Sequence, residues 1–334
     1  MYDLGHEVFL YAGDENDAHV TELVPVVTKA QQKKWFGHYD WERDVFDGWN
    51  SEDEWWRHMN IAATAGILQR ARPGDFVCII SGWCQQVLSD LGLTTVEWGV
   101  GYKGVLPNSY RCFESYAWMH HIAAKQESDD IRYFDTVIPN SFDVDEFPAG
   151  TGDGDFAFLG RLIRRKGPHI AAEVCKILGE RLILAGQGLA ENSPHTSAIM
   201  GKDGVVVDGN VTHIGRVNIE QRARLLGQAK ALFVPTIYLE PFGGVAVEAM
   251  LCGTPVITSD WGAFTEYVID GFNGFRCRTL ADFVRAARTA PHLPRADIRK
   301  WAQNRFSTDV VAPRYEAWFR KLETLHRGGW YELA

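Results

Sequence analysis
The chain has 334 residues, 46% hydrophobic and 23% charged, a globular composition with length enough for two domains. Its formal charge of −9 is uneven, with 11 Lys and Arg against 21 Asp and Glu over residues 1–141 and 23 against 22 over 142–334; the acidic part is a poor partner for nucleic acid or an anionic membrane. No apolar run reaches the ~18–20 residues that span a bilayer, the first residues do not read as a secretory leader, and the six cysteines form no CxxC pair, so a cytoplasmic protein with buried thiols and no metal site is expected.

In chain order, 4–13 reads as a turn and then a strand. Residues 14–60 are polar, acidic and rich in aromatics (Trp35, Phe36, Tyr39, Trp41, Phe46, Trp49, Trp55, Trp56) and read as an elaborated loop. Their rings suit either a small-domain core or a sugar face. A helix is predicted over 54–70, a strand over 76–80, a helix over 82–91, a strand over 94–101, a helix over 109–126 and a strand over 135–139. His120 and His121 fall within the third of these helices and read as core or surface residues.

The second part alternates more regularly. Strands are predicted at 156–159, 181–185, 231–235 and 256–259, with weaker ones at 205–211 and 212–214. Helices are predicted at 169–178, 220–228, 245–251, 264–269, 280–290, 295–305 and 308–326. Alternation in both parts argues for two doubly wound parallel-sheet (Rossmann-like) α/β domains. Ligands of such sheets bind at the carboxyl ends of the strands, here in a cleft between the domains.

One stretch concentrates the chemistry. A buried strand leads into Glu240, Pro241, Phe242, Gly243 and Gly244, and a helix starts at Val245. The first amides of a helix lack partners within it and sit at the positive end of its dipole, which suits an anion. Glu248 lies four residues after Gly244 on the same face. Carboxylates repel phosphate but accept hydrogen bonds from hydroxyls, so a phosphate flanked by hydroxyls fits, as in a nucleotide sugar. Arg161 and Lys166, five residues apart in a strand-to-helix loop, can converge on a diphosphate. A solvated basic loop with Arg164 and Arg165 is the alternative.

These residues resemble the family 4 retaining glycosyltransferases of the GT-B fold. Gly160-Arg161-Leu162 with Lys166-Gly167 is similar to the family's G-R-L-x-x-x-K-G. Leu184 to Gly188, Gly215-Arg216-Val217, the Glu240/Glu248 pair in E-x7-E spacing, Cys252 to Ile257 and Glu266 to Gly274 follow in the family's order, and Val137-Ile138-Pro139-Asn140 resembles its hinge. The resemblance implies an acceptor-side domain over 1–141, a donor-binding domain over 142–310, and a terminal helix over 311–334 that packs back on the first domain. It implies that Arg161 and Lys166 hold the diphosphate in place of a metal, with no cofactor. Glu240 holds the transferred sugar, Glu248 the ribose, and Phe242, Gly243, Gly244 and Val245 the diphosphate and sugar through backbone groups. Arg216 lies beside the base, though a solvated arginine is equally compatible. Gly244 stands where many relatives carry a bulkier residue. The first part matches less: residues 4–8 resemble the family's second strand, so the first strand is expected to be lacking, and Glu97 stands near the place of a frequent His-Asp and reads either as an acceptor-side residue or as a strand-end carboxylate with structural partners. Expected partners are a nucleotide sugar and a saccharide, lipid, protein or small-molecule acceptor. The alternatives are a catalytically impaired donor-binding or scaffold homologue, and a transferase acting on modified DNA bases.

Overall fold
The computed structural model describes residues 1–38, 48–127, 132–190 and 198–328. Tyr39, Trp41 and Phe46 lie outside the described residues. In the first part the elements are β1 (Phe9–Gly13), β2 (Glu22–Val27), α1 (Lys29–Phe36), α2 (Glu54–Arg70), β3 (Phe76–Ile79), β4 (Thr94–Val100), β5 (Tyr110–Phe113), α3 (Tyr116–Lys125) and β6 (Thr136–Val137). In the second they are β7 (Phe156–Leu159), α4 (Pro168–Leu178), β8 (Leu182–Ala185), β9 (Ala198–Met200), β10 (Val206–Asp208), β11 (Val211–His213), α5 (Ile219–Gln228), β12 (Leu232–Val234), α6 (Gly244–Leu251), β13 (Val256–Ser259), α7 (Phe264–Tyr267), β14 (Gly274–Cys277), α8 (Leu280–Thr289), α9 (Arg295–Phe306) and α10 (Thr308–Gly328).

The second sheet runs β11-β8-β7-β12-β13-β14, all parallel. Its central strands are continuous apolar runs because both faces are covered. One face meets α5, α6 and α9 through Leu226, Met250, Ile298 and Phe306; the other meets α4 and α8 through Ala171, Val174, Phe283 and Ala287. Phe156, Phe158 and Phe233 are fully buried there, each contributing roughly 1.5–3 kcal/mol of burial. Local signals set the helix ends. Asn218 with Gln221 and Thr279 with Asp282 form capping boxes, and Pro168 opens α4 while Gly179 closes it in the left-handed region.

The first part is less regular than its partner. β3-β4-β5-β6 form one parallel sheet, and β1 and β2 pair in parallel apart from it. In the second sheet the first strand, β7, lies at the centre between β8 and β12; among the described residues no strand takes that place between β1 and β3. The two pieces are joined by α2, whose Ala63 and Ile67 pack with Val26 of β2 and Val77 and Ile79 of β3. From the far end of the chain, α10 lays Val311, Tyr315, Trp318 and Leu322 against Val96, Tyr110 and Cys112.

Three expectations are corrected. The loop predicted over 14–60 contains β2 and α1, the latter opened by a Thr28–Gln31 capping box. The aromatics described there pack largely on one another, Phe36 on Trp55 and Trp55 on Trp56, with Trp56 buried. The helix predicted over 109–126 is a buried strand, β5, and then α3, with Ser115 capping the helix between them. The helix predicted over 82–91 is a 3₁₀ segment, Gly82–Asp90, with a non-helical kink at Gln85.

All six cysteines are free and five are buried. No helix among the described residues is long and apolar enough to cross a membrane.

Candidate functional site
The carboxyl ends of both sheets face one another, and side chains cross between them. Ser115 Oγ donates to the Pro241 carbonyl at 2.5 Å. Glu266 accepts from the amides of Tyr116 and Ala117 at 3.1 and 2.8 Å, so its carboxylate sits on the amino end of α3. Leu239, beside Glu240, packs into the Val100–Phe113–Trp118 cluster of the first part.

At the centre of this interface stands the amino end of α6. Gly243 caps it at φ +80, in the left-handed region, and a Cβ there would lie 2.5 Å from the Phe264 ring, so only glycine fits. The first amides of α6, at Gly244 and Val245, point out of the helix end. Phe242 and Gly243 are buried, and the Tyr267 hydroxyl donates to both of their carbonyls at 2.6 and 3.2 Å, which holds the turn. At Gly244 a Cβ would make ordinary contact with Phe142 at 3.5 Å, so the backbone there tolerates a side-chain stem.

Glu240 is buried, and its carboxylate accepts from Lys166 Nζ at 3.0 and 3.4 Å. These two residues, 74 positions apart, are thus joined by the fold. Tyr238 completes the group. The Arg165 guanidinium lies 4.1 Å and the Lys166 ammonium 4.9 Å from its ring centroid. Burial and the Glu240 carboxylate raise its phenol above the ordinary value, opposed by Arg165 and Arg161. Arg161, half-buried at the carboxyl end of β7, therefore bears on the same group. Tyr238 is a site residue that the sequence reading passed over, although its position two before Glu240 placed it on the same loop.

Glu248, inside α6, is buried and accepts from Arg222 of α5 at 2.7 Å. Burial raises its carboxyl and the Arg222 charge opposes that rise. Replacing Arg222 by methionine removes the opposition, so the folded-state value climbs further above the unfolded one. A carboxyl of that kind favours the fold below its unfolded pKa, and the advantage fades as pH rises through the folded value. The melting-temperature deficit of Arg222→Met is therefore expected to widen as pH is raised above the ordinary value of 4.5; a deficit independent of pH would dismiss Glu248 as its source.

Gly215 and Arg216 follow β11, where the Gly186 amide donates to the Gly215 carbonyl at 2.8 Å and His213 Nε2 meets the Gly186 carbonyl at 2.8 Å. The Arg216 side chain is exposed. Glu97 takes the structural one of its two readings rather than the acceptor-side one. It is fully buried and accepts from Tyr102 Oη at 2.8 Å, the Leu106 amide at 2.8 Å and Ser109 Oγ at 2.6 Å. Its carboxylate fastens the 102–109 loop and is closed to a ligand.

Residues 141–303 match the family model described as glycosyl transferases, group 1. The match takes in just under half of the chain and likens that part to this family. The glycogen synthase of Mycobacterium tuberculosis (strain CDC 1551 / Oshkosh) is 32% identical over 188 residues, 52% of this chain and 44% of that protein. The chain thus spans less than half the length of that curated relative. Among solved structures, sucrose-phosphate synthase from Thermosynechococcus elongatus superposes with a TM-score of 0.62 at 21% identity, covering 80% of this chain and 78% of that one. Anabaena Alr3699/HepE in complex with UDP-glucose superposes with a TM-score of 0.60 at 17% identity, covering 80% and 82%. These likenesses extend beyond residues 141–303 and give the chain the GT-B fold.

Proposed function
We propose that the protein transfers a hexose-type sugar from a nucleoside-diphosphate sugar to a hydroxyl acceptor, with retention at the anomeric carbon and without a metal ion. The observation that carries this reading is the Lys166–Glu240 pair at the mouth of α6. A sugar diphosphate brings an anion for Lys166, Arg161 and the first amides of α6, and hydroxyls for Glu240. Donor entry exchanges the internal ion pair for two ligand contacts. Glu248 takes ribose hydroxyls, the backbone from Phe242 to Val245 borders the diphosphate and sugar, and Arg216 borders the base. That Anabaena Alr3699/HepE was solved with UDP-glucose supports a nucleotide sugar as donor.

In the step itself the bond from the anomeric carbon to the phosphate oxygen breaks and the acceptor oxygen attacks from the same face. The acceptor proton passes to the leaving phosphate, whose growing charge the fixed cations stabilise. The test is calorimetric titration with UDP, ADP, GDP and TDP and their glucose conjugates, followed by NMR of the anomer formed. Binding of at least one pair, and an α-linked product from an α-linked donor, are expected. Failure of all to bind at millimolar concentration would refute the reading, and an inverted product would refute retention.

A further inference from the structure
Between the two parts lies a cavity of about 300 Å³, with Glu114 on one side, Phe242, Glu266 and Tyr267 on the other, and Arg305 of α9 and Arg314 of α10 in its wall. Its volume is at the lower end of the ~300–1,000 Å³ of small-molecule sites and suits one monosaccharide-sized unit. Glu114 directly follows β5, at the carboxyl end of the first sheet. Its Oε1 accepts from Asn140 Nδ2 at 2.9 Å, and among the described residues no cation pairs with it. Gly101 makes room for the carboxylate, since a Cβ there would fall 2.2 Å from Glu114 Oε2. Burial raises the Glu114 carboxyl above its ordinary value, and the charge of Glu240 raises it further.

A half-buried carboxylate beside a second one, with a single neutral partner and an adjoining cavity, is costly for folding and has the character of a functional-site group. Ionised carboxylates only accept hydrogen bonds, so what lies against them must donate. The Phe242 and Tyr267 rings in the wall suit the C–H face of a polyol. We infer that Glu114 is the acceptor-binding carboxylate, which holds a hydroxyl-bearing small molecule in this cavity, beside the loop that carries Glu240. The assignment rests on the glycosyltransferase reading above. It supplies the acceptor-side carboxylate that Glu97 does not.

The experiment measures product formed from the donor sugar that the wild type binds, with glycerol, glucose and mannitol offered as acceptors, for the wild type, Glu114→Gln and Gly101→Ala. Circular dichroism monitors folding, and titration with the matching nucleoside diphosphate monitors the donor site. Both variants are expected to lose at least tenfold in transfer while their nucleotide affinity stays within twofold. Gly101→Ala carries the test independently, because it displaces the carboxylate without removing its charge. Transfer within twofold of wild type in Glu114→Gln would overturn the assignment, as would a matching loss of nucleotide affinity. So would a wild type that hydrolyses the donor yet glycosylates none of the three compounds, an outcome that leaves the glycosyltransferase reading standing. A wild type that binds no nucleotide at all defeats that reading and the assignment with it.

Discussion

Lys166→Met is expected to lower the rate of sugar transfer by roughly 10²–10³-fold at saturating donor, the usual effect of removing one preorganised group that meets developing charge. The side chain is well placed for that. It leaves a 3₁₀ turn, Arg164–Lys166, closed by Gly167 in the left-handed region, and ends 3.0 Å from Glu240 Oε2. The ammonium is therefore fixed before the donor arrives, and little reorganisation is needed as the diphosphate departs. Arg161→Met is expected to fall in the same range, and the double variant to lose less than the product of the two, because both act on one leaving group. Arg165→Met serves as the internal contrast. Its guanidinium lies over the Tyr238 ring, so a loss of tenfold or less is expected. One complication is built into the site: without Lys166, the buried Glu240 carboxylate has no cation, and stability falls as well. Lys166→Met/Glu240→Gln separates the two effects, since it restores the melting temperature and leaves transfer abolished. Single variants within threefold of wild type would remove Arg161 and Lys166 from the chemistry.

The readable parts of the sequence were those where one local signal sufficed. The apolar runs at 156–159 and 256–259 became strands with those bounds because each is short, buried on both faces and bracketed by polar, glycine or proline residues. Helix 54–70 likewise needed only its apolar spacing and the Pro73-Gly74 stop. Long-range pairing hid the rest. β5 reads Tyr-Arg-Cys-Phe, and an arginine in the middle of a fully buried strand looks like a helix surface until Asp135, 24 residues later, is brought beside it. Glu97 at a strand end looks like a cleft residue; only the return of the 102–109 loop supplies the three donors that close it off. Glu114 escaped notice for the opposite reason. It stands next to a helix-capping serine, and what sets it apart is the space left by Gly101 and the nearness of Glu240, neither of which is local in sequence. Motif spacing gathered Arg161, Lys166, Glu240 and Glu248 into one reading. Their partners Tyr238 and Arg222 belong to no motif and came from geometry alone.

Arg111→Met is expected to destabilise the protein by about 3–5 kcal/mol, the usual effect of removing one partner of a buried ion pair. Arg111 and Asp135 side chains are only 8% and 3% exposed. The guanidinium donates to Asp135 through Nε at 2.9 Å and through Nη2, and the Arg111 amide donates to the other carboxylate oxygen at 3.2 Å. Gln126 takes a further donor at 3.2 Å, and the Phe113 ring lies 5.5 Å below the guanidinium carbon. Methionine fills much of the same volume but leaves Asp135 charged, buried and short of its strongest donors. The penalty therefore comes from the orphaned carboxylate rather than from lost packing, and Arg111→Met/Asp135→Asn is expected to recover most of it. Urea unfolding followed by tryptophan fluorescence measures both. A single-variant loss below 1 kcal/mol would mean that water reaches the pair. The pair also ties β5 to the turn before β6, and β5 carries Glu114 at its end, whereas Lys166, Glu240 and Glu248 stand on the other sheet. Loosening β5 should thus weaken transfer to the acceptor while nucleotide affinity holds, a split that a uniformly destabilised protein would not show.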